Sequence, residues 1–298
     1  NGTVSFKGWV VIAPDGTRYH FGATDATMDA PSFIEYTAHL NLADPSTGSY
    51  DFPSSWFLSK IESADLKDVI TFTYVPEKYG FFMPGSNTSF ALANTCPSSS
   101  APTYPIKTSV NGKRLASISG VNNTILFTGE TTPREDLSVF GHCPYCTNIN
   151  TEAKSLKTIE IRDKWGGCVR KFDFSYTYVQ APAGSFPSAS IPVDNVDRKR
   201  LVLNSVTESA CTTTVNSKVH SFEYYDLNLL PRRCALSVDH WGYNNGKSNG
   251  TLMPGYPYIF TAHNQNCLFV NYNSSCGLLP NGYADREPAF PEMRHGTL

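Results

Sequence analysis

The amino-acid sequence predicts an all-β protein: consecutive antiparallel β-hairpins forming one large, curved, spiralling sheet, with long rim loops and a loop-rich C-terminal cap. Aromatic residues make up 13% of the 298 residues and charged residues only 17%, where globular domains average about 25% charged. Aromatic and β-branched side chains suit a pleated surface, and Gly, Pro and Asn suit turns. Apolar residues alternate along several segments, whereas no window keeps helical spacing for three turns.

The first predicted element is a β-hairpin in "GWVVIAPDGTRYHFG". Apolar residues alternate on both sides of Pro14-Asp15-Gly16, which is a strong turn signal. The stretch 23–55 is polar and rich in Asp, Pro and Ser, so we interpret it as a long loop with one strand near "FIEYTAHL". Residues 1–55 are thus an N-terminal unit of hairpin and loop.

A repeated two-stranded unit fills residues 56–231. It reads Leu-x-x-Ile, a polar turn, then an aliphatic residue followed by Phe or Tyr at alternate positions, and four copies follow one another at intervals of roughly 40 to 60 residues. The copies are "WFLSKIESADLKDVITFTY", "RLASISGVNNTILFTGE", "SLKTIEIRDKWGGCVRKFDFSYTYV" and "RLVLNSVTESACTTTVNSKVHSFEYYDLNLLP". Because a lone hairpin is marginal in water, we expect the copies to lie side by side and share one buried face.

Pro- and Ser-rich segments separate the copies, and we interpret them as loops that decorate the rim of the sheet. Residues 232–298 show little alternation, so we expect a loop-rich cap that is partly fixed by disulfides. The whole chain, 1–298, is then one domain built from these three units. The separating segments are "PGSNTSFALANTCPSSSAPTYP", "TPREDLSVFGHCPYCTNINTEA" and "QAPAGSFPSASIPVDNVD".

Four segments, in order along nearly the whole chain, carry a family resemblance. They are the hairpin "WVVIAPDGTRYHFG", the repeated unit, "LPRRCALSVDHWGYNNGKSNGTLMP" and "ADREPAFPEMRHGTL". Each is similar to a segment of the RHS/YD-repeat proteins, in particular the large secreted ones of Bacteroidota. The third segment is the most specific of the four.

This resemblance implies a structural role. In RHS proteins such hairpins spiral into a closed β-sheet shell that encloses a polypeptide cargo, often a toxin, or they form a rigid cell-surface scaffold, as in teneurins. The implied partners are the rest of the same long polypeptide and an enclosed cargo. Two family features differ: the Tyr-Asp-x-x-Gly-Arg repeat has only a loose counterpart in "YYDLNLLPRR", and the aspartate cluster of the self-cleaving core is missing. The chain would accordingly lie upstream of that core.

Eight cysteines and a composition rich in Ser, Thr and Asn favour an oxidising environment, so we expect a secreted or cell-surface protein. Cys211 and Cys234 flank the fourth hairpin and are expected to pair, a loop closure worth about 3 kcal/mol. Cys267 and Cys276 bracket "LFVNYNSS" and are expected to form a second bond. The candidate disulfide cysteines are Cys143, Cys146, Cys211, Cys234, Cys267 and Cys276.

The motif Cys143-Pro-Tyr-Cys146 has the spacing of a redox dithiol. That chemistry requires the first Cys at a helix N-terminus within a βαβ pattern, and neither surrounds it, so we favour a local disulfide or stapled loop. A structural zinc site using His142, both cysteines and Cys168 is the alternative, although a single Cys-x-x-Cys supplies only half of such a site. Cys96 and Cys168 could otherwise pair with each other.

The stretch "DHWGYNNG" places Asp239, His240, Trp241 and Tyr243 close together. A Ser-His-Asp type of site would need a nucleophile on a Gly-x-Ser-x-Gly elbow, which the sequence lacks. Neighbouring Asp and His on a strand would also point to opposite faces. We therefore predict a structural corner in which Trp241 and Tyr243 fill a core, the chain turns at Asn244-Asn245-Gly246, and His240 is a hydrogen-bonded buried or rim residue.

Composition excludes several function classes. The net charge of −2 offers no electrostatic footprint for nucleic acid or an anionic membrane, no segment is apolar enough to span a bilayer, and no phosphate-binding Gly loop occurs. We expect no catalytic residue, metal or cofactor. Sequons for N-glycosylation occur at Asn1, Asn87, Asn122, Asn249 and Asn273.

Two functions from different classes follow. The first is a structural, non-catalytic segment of a secreted shell or rigid scaffold. The alternative is a cell-surface adhesion or carbohydrate-binding module that uses aromatic residues of the rim loops, with a cell-surface or glycan partner.

Overall fold

The computed structural model describes residues 6–41, 51–86, 103–141, 149–182, 194–211 and 213–249, together with Leu252 and Gly296. In this part of the chain no helix is long and apolar enough to cross a membrane. The strands are β1 (Gly8–Ile12), β2 (Arg18–Gly22), β3 (Ile34–Asn41), β4 (Phe52–Trp56), β5 (Leu58–Glu62), β6 (Val69–Ser86), β7 (Thr103–Ser119), β8 (Asn123–Gly129), β9 (Leu156–Asp163), β10 (Cys168–Gln180), β11 (Lys199–Ala210) and β12 (Thr213–Ser221), and the helix α1 is Asp194–Arg198. Two short 3₁₀ helices span Ala30–Ser32 and Leu227–Leu229.

These strands form one antiparallel sheet of twelve strands, which is open rather than closed. Ten strands follow the order β1-β2-β5-β6-β7-β8-β9-β10-β11-β12, and the β3-β4 hairpin joins the sheet where β3 pairs with β7. Within the described ranges β1 and β12 are therefore the ends of this ten-strand order, and β4, which pairs only with β3, is a further edge strand. The predicted all-β fold of antiparallel hairpins is confirmed.

Tight turns lie side by side along one edge of the sheet, which we call the turn edge. The register places Arg18 of β2 opposite Glu62 of β5, and Asn123 of β8 opposite Asp163 of β9, so successive turns come next to each other. Each follows a turn signal in the sequence, such as Pro14-Asp15-Gly16. The turn edge consists of residues 13–17, 63–68, 120–122, 164–167 and 211.

Two strands are longer than the repeated unit predicted. β6 continues to Ser86 and β7 begins at Thr103, so both ends of the expected loop at 84–105 are strand, and that part of the prediction is wrong. Proline interrupts strand signals because it cannot donate to the ladder. Here Pro84 and Pro105 lie opposite each other in the β6-β7 pair.

Because of their length, β6 and β7 have different neighbours at their two ends. Near the turn edge β6 pairs with β5 and β7 pairs with β8, whereas farther along β7 pairs with β3 and Gly80 of β6 bridges to Ser138. A Cβ atom on Gly80 would come 2.6 Å from the Ser138 hydroxyl, so the close approach requires glycine. The strand predicted near "FIEYTAHL" is confirmed as β3, while β4 was missed.

The core lies away from the turn edge, where the connecting segments cover the sheet. Leu40, Phe82, Val196 and Cys234 form a buried cluster that joins β3, β6, α1 and the segment after β12. Leu137, in the connection after β8, is also buried. The prediction that such segments only decorate the rim is wrong, because they supply part of the buried apolar surface. Toward the turn edge, large apolar side chains remain exposed: Ile12, Leu66, Ile70, Val121, Trp165, Val169 and Val219.

Three turns of the turn edge share one geometry. In each, the N–H of the fourth residue donates to the carbonyl of the first, and the fourth residue has a positive φ: Gly16, Leu66 and Gly166, at 87°, 61° and 85°. A left-handed conformation costs a residue with a Cβ about 1–2 kcal/mol, which explains the two glycines. Leu66 is the exception, and it bears this strain with its side chain exposed.

We expect Leu66→Gly to raise the free energy of unfolding by about 0.5 kcal/mol, since relief of the left-handed strain exceeds the added chain entropy of glycine. Gly166→Ala is the converse substitution, because it adds a Cβ atom at the same position of another of these turns. A Cβ there meets nothing within 4 Å, so a loss of about 1 kcal/mol would come from the backbone alone. Urea unfolding measures both changes, and equal stability of all three proteins would show that the turn is not strained at Leu66.

Candidate functional site

The segment 239–243 is a tight turn organised by one carboxylate. Asp239 is fully buried, and its Oδ1 accepts hydrogen bonds from the backbone N–H groups of Trp241 and Tyr243, at 2.8 and 2.9 Å. The N–H of Asp239 donates to the carbonyl of Tyr243 at 2.9 Å, which closes the turn. Gly242 provides the positive φ of 90° that the turn requires. At this corner the acid is a backbone acceptor that shapes the loop.

The aromatic residues of this corner do not fill a core. Trp241 is 72% exposed and Tyr243 is 63% exposed, so their predicted burial is wrong. The prediction assumed a strand up to the Asn-Asn-Gly turn, whereas the chain already turns at 240–242 and carries both rings outward. His240 is exposed beside Trp241, with ring centroids 6.4 Å apart. The result is a rigid turn that presents three rings to solvent.

A buried ion-pair cluster lies beneath the connecting segments. The carboxylate of Asp136 is fully buried and accepts two hydrogen bonds from Arg134, at 3.0 and 2.8 Å, and one from Arg233, at 2.6 Å. Burial raises the pKa of Asp136, but the hydrogen bonds and charges of the two arginines outweigh it and hold the pKa below its ordinary value. The cluster therefore ties the connection after β8 to the segment after β12.

A second buried carboxylate anchors helix α1. Asp197 accepts a hydrogen bond from the N–H of Cys234 at 2.8 Å and pairs with Arg232. Nearby, burial and the charge of Arg233 lower the pKa of Arg200 to about 10, so Arg200 stays charged at neutral pH. Both carboxylates are thus engaged in holding segments together.

Cysteine positions correct the predicted pairing. Cys211 forms a disulfide with Cys168, with the two Cα atoms 5.7 Å apart, so the expected bond between Cys211 and Cys234 is wrong. The physical reason is that β10 and β11 are neighbours and bring Cys168 beside the end of β11, while Cys234 is a free, buried thiol in the core. By its length the closed loop contributes about 4 kcal/mol. Cys168 is therefore also no zinc ligand.

The other candidate cysteines, Cys143, Cys146, Cys267 and Cys276, lie outside the described residues. So do His142 and Cys96. In the described ranges, no group of three His, Cys, Asp or Glu side chains is placed to hold a metal ion.

Two of the five sequons lie in the described residues. Asn122 is exposed in the turn between β7 and β8, and its glycosylation stays a prediction. Asn249 is only 5% exposed, and its side-chain amide donates to the carbonyl of Leu236 at 3.1 Å. Glycosylation at Asn249 stays a prediction, and in the folded chain the nitrogen that would carry the glycan is buried. Asn1, Asn87 and Asn273 lie outside the described residues.

The fold and these contacts define the class of protein: an all-β chain whose antiparallel hairpins form one open sheet with clamped connecting segments. Comparison with protein-family models, with curated proteins and with solved structures finds no match.

Sequence reasoning missed the ion-pair cluster. The signals were the charged run "PRED" at 133–136 and the pair Arg232-Arg233, two short polar stretches far apart in a chain with few charges. Nothing in either stretch indicates its partner, since Asp136 and Arg233 are 97 residues apart.

We expect Asp136→Ala to lower the free energy of unfolding by about 3–5 kcal/mol at pH 7, because it leaves two arginines facing a buried site without their anion. Glu160→Ala is the control: Glu160 forms a pair with Arg162 that is partly exposed to solvent, and its loss should cost under about 1 kcal/mol. Urea unfolding of the three proteins measures the difference.

The same carboxylate makes stability depend on pH. Since the pKa of Asp136 in the fold lies below its ordinary value of 3.8, its stabilisation is complete above about pH 4 and is lost as the pH falls through the lowered pKa. The wild-type advantage over Asp136→Ala should therefore shrink in acid. An advantage that stays constant down to pH 2 would contradict this role.

We expect Cys234 to resist alkylation in the folded protein. Burial raises the pKa of its thiol, with a further contribution from Asp197, so little thiolate forms. Iodoacetamide followed by peptide mapping should leave Cys234 unlabelled at pH 8, label it after urea unfolding without a reductant, and recover Cys168 linked to Cys211. A peptide linking Cys211 to Cys234 would contradict the pairing.

Proposed function

We propose that this chain is a structural, non-catalytic segment of a secreted RHS-like β-shell, which encloses a polypeptide cargo or forms a rigid cell-surface scaffold. The proposal extends the resemblance of its hairpins and of "LPRRCALSVDHWGYNNGKSNGTLMP" to RHS/YD-repeat proteins. In a structural shell the side chains serve to stabilise the sheet.

One observation carries the proposal: in the described part of the chain twelve strands form a single open antiparallel sheet, and ten of them are hydrogen-bonded in one continuous order from β1 to β12. The disulfide between Cys168 and Cys211 ties β10 to the end of β11. Asp136 and Asp197 clamp the connecting segments onto that sheet. Such an arrangement supports a stiff wall, since opening the segment that carries Arg233 or the helix α1 would separate a buried ion pair.

A second function, a cell-surface adhesion or carbohydrate-binding module, is favoured by the 239–243 turn. His240, Trp241 and Tyr243 project from a turn held by a buried carboxylate. Exposed aromatic rings on a rigid support are suited to stack against sugar faces, because little entropy is lost on binding.

The experiment starts from the protein isolated from its natural source and treated with trypsin at pH 7. A shell predicts that a second polypeptide, or a further segment of the same one, survives digestion while the sheet is folded and is degraded once urea unfolds it. A rigid scaffold predicts a protease-resistant sheet alone, without affinity for glycans.

A glycan array with Trp241→Ala and Tyr243→Ala tests the second function. The matched control is Trp165→Ala, which removes another exposed indole at the turn edge. Glycan binding that is lost in the first two variants and kept in the control would contradict the purely structural function and favour the adhesion module.

A further inference from the structure

Two partly buried arginines, Arg200 of β11 and Arg233, lie side by side next to helix α1. Nη2 of Arg200 donates a hydrogen bond to the carbonyl of Pro231 at 2.9 Å, two residues before Arg233. In return, Nε of Arg233 donates to the carbonyl of Lys199 at 3.3 Å, directly before Arg200. Each side chain thus binds the backbone next to the other, and this exchange holds two like charges close together.

The carboxylates near this arginine pair are engaged with other partners. Asp136 accepts hydrogen bonds from Arg233 and also from Arg134. Asp197 pairs with Arg232 and accepts the N–H of Cys234. One carboxylate therefore serves two guanidinium groups, and the second is paired elsewhere.

Arg200 has no carboxylate within ion-pair distance in the described part of the chain, and its one hydrogen-bond acceptor there is a neutral carbonyl. Burial and then the charge of Arg233 lower the pKa of Arg200 to about 10, although Asp197 and Asp136 act in the opposite direction. The side chain is still charged at neutral pH. Its charge is therefore the least compensated one in this group.

Both arginines retain donors that reach solvent. A guanidinium group carries five N–H bonds on three nitrogens. Among the described residues, Nε and Nη1 of Arg200 and Nη1 of Arg233 have no protein acceptor. None of these nitrogens belongs to the fully buried polar atoms that lack a partner. They are therefore accessible to a bound group from solvent.

We propose that Arg200 and Arg233 together bind a dianionic oxyanion, either inorganic sulfate or phosphate or the phosphate group of a larger molecule. The oxygens accept the N–H groups that the protein leaves unused. This inference does not depend on the proposed function, since a wall segment and an adhesion module are both compatible with a bound anion.

Charge and shape both select this class of ligand. Three guanidinium groups, those of Arg134, Arg200 and Arg233, share the single negative charge of Asp136, so two further negative charges balance the group. The planar guanidinium fork also matches two oxygens of a sulfate or phosphate group. Chloride carries one charge and has no paired oxygens, so it is a poor substitute.

The bound anion adds a third link between the sheet and the segment after β12. Arg200 belongs to β11, whereas Arg233 follows β12 and is already held by Asp136. An anion that contacts both arginines converts their repulsion into a shared attraction. Because a ligand of the folded chain alone stabilises it by mass action, stability should rise with anion concentration.

Urea unfolding of the whole chain at pH 7 tests the proposal, with sodium sulfate replacing sodium chloride at constant ionic strength. For a dissociation constant on the order of 1 mM, about 20 mM sulfate should raise the folding equilibrium constant about twentyfold. Inorganic phosphate should have a similar effect. Constant ionic strength removes the general screening of surface charges from the comparison.

Substitutions of Arg200 make the test specific to this site. Arg200→Met removes the unpaired cation and keeps an unbranched side chain, so the variant should fold, and its response to sulfate should fall below about twofold. Arg200→Lys keeps the charge without the paired donors and should respond several-fold less than the wild type. Arg162→Gln is the matched control, because it removes an arginine paired with Glu160 elsewhere on the sheet, and it should keep the full response.

A phosphate monoester distinguishes the two sources of the anion. Glucose 6-phosphate carries most of its second negative charge at pH 7. A response equal to that of inorganic phosphate supports a site that receives the phosphate group of a larger molecule, whereas a response to the inorganic anions alone supports a resident ion. A wild type stabilised less than about twofold by both inorganic anions, or an equal gain in Arg200→Met, would overturn the proposal, since the second result marks a general salt effect.

Discussion

The buried carboxylate of Asp136 is the contact on which the arrangement of this protein depends. It draws Arg134 and Arg233 onto one site and so joins two segments that are 97 residues apart in sequence. A buried ion pair adds little net stability compared with apolar packing, but it is costly to break, because one partner then remains charged and unpaired. The ion pair therefore fixes these two polar segments in one position relative to each other. Asp197 acts in the same way on α1 and Cys234.

This specification matters because the sheet alone does not enclose a core. Near the turn edge large apolar side chains meet solvent, as the exposed Ile12, Val121 and Trp165 illustrate. Burial becomes complete only where the connecting segments lie on the sheet and Val196 and Cys234 meet Leu40 and Phe82. Apolar burial provides most of the folding free energy. The ion pairs of Asp136 and Asp197 therefore determine where on the sheet that free energy is gained.

The features that the sequence predicted are those with local causes. The Pro14-Asp15-Gly16 turn, the strand β3 and the hairpins of the repeated unit follow from alternation and turn chemistry within a few residues. The ends of β6 and β7 were missed because proline masked their strand signal. The candidate site was half predicted: Asp239 does hold a structural corner, but Trp241 and Tyr243 are exposed, since one carboxylate turns the chain earlier than the alternation suggested. Pairings such as Cys168 with Cys211 depend on which strands become neighbours, and that information is not local.

A sheet assembled from consecutive hairpins has no intrinsic size, because each new ribbon covers one edge and creates another. What limits it is the chemistry of the last strand. In the described part of the chain, β12 is an edge strand with Lys218 and His220, side chains that solvate an edge and disfavour a further strand. β1 is an edge strand with three consecutive exposed aliphatic residues, which leave hydrogen-bonding groups and apolar surface together. These two edges of the same sheet therefore differ in chemistry, because one is polar and the other is apolar.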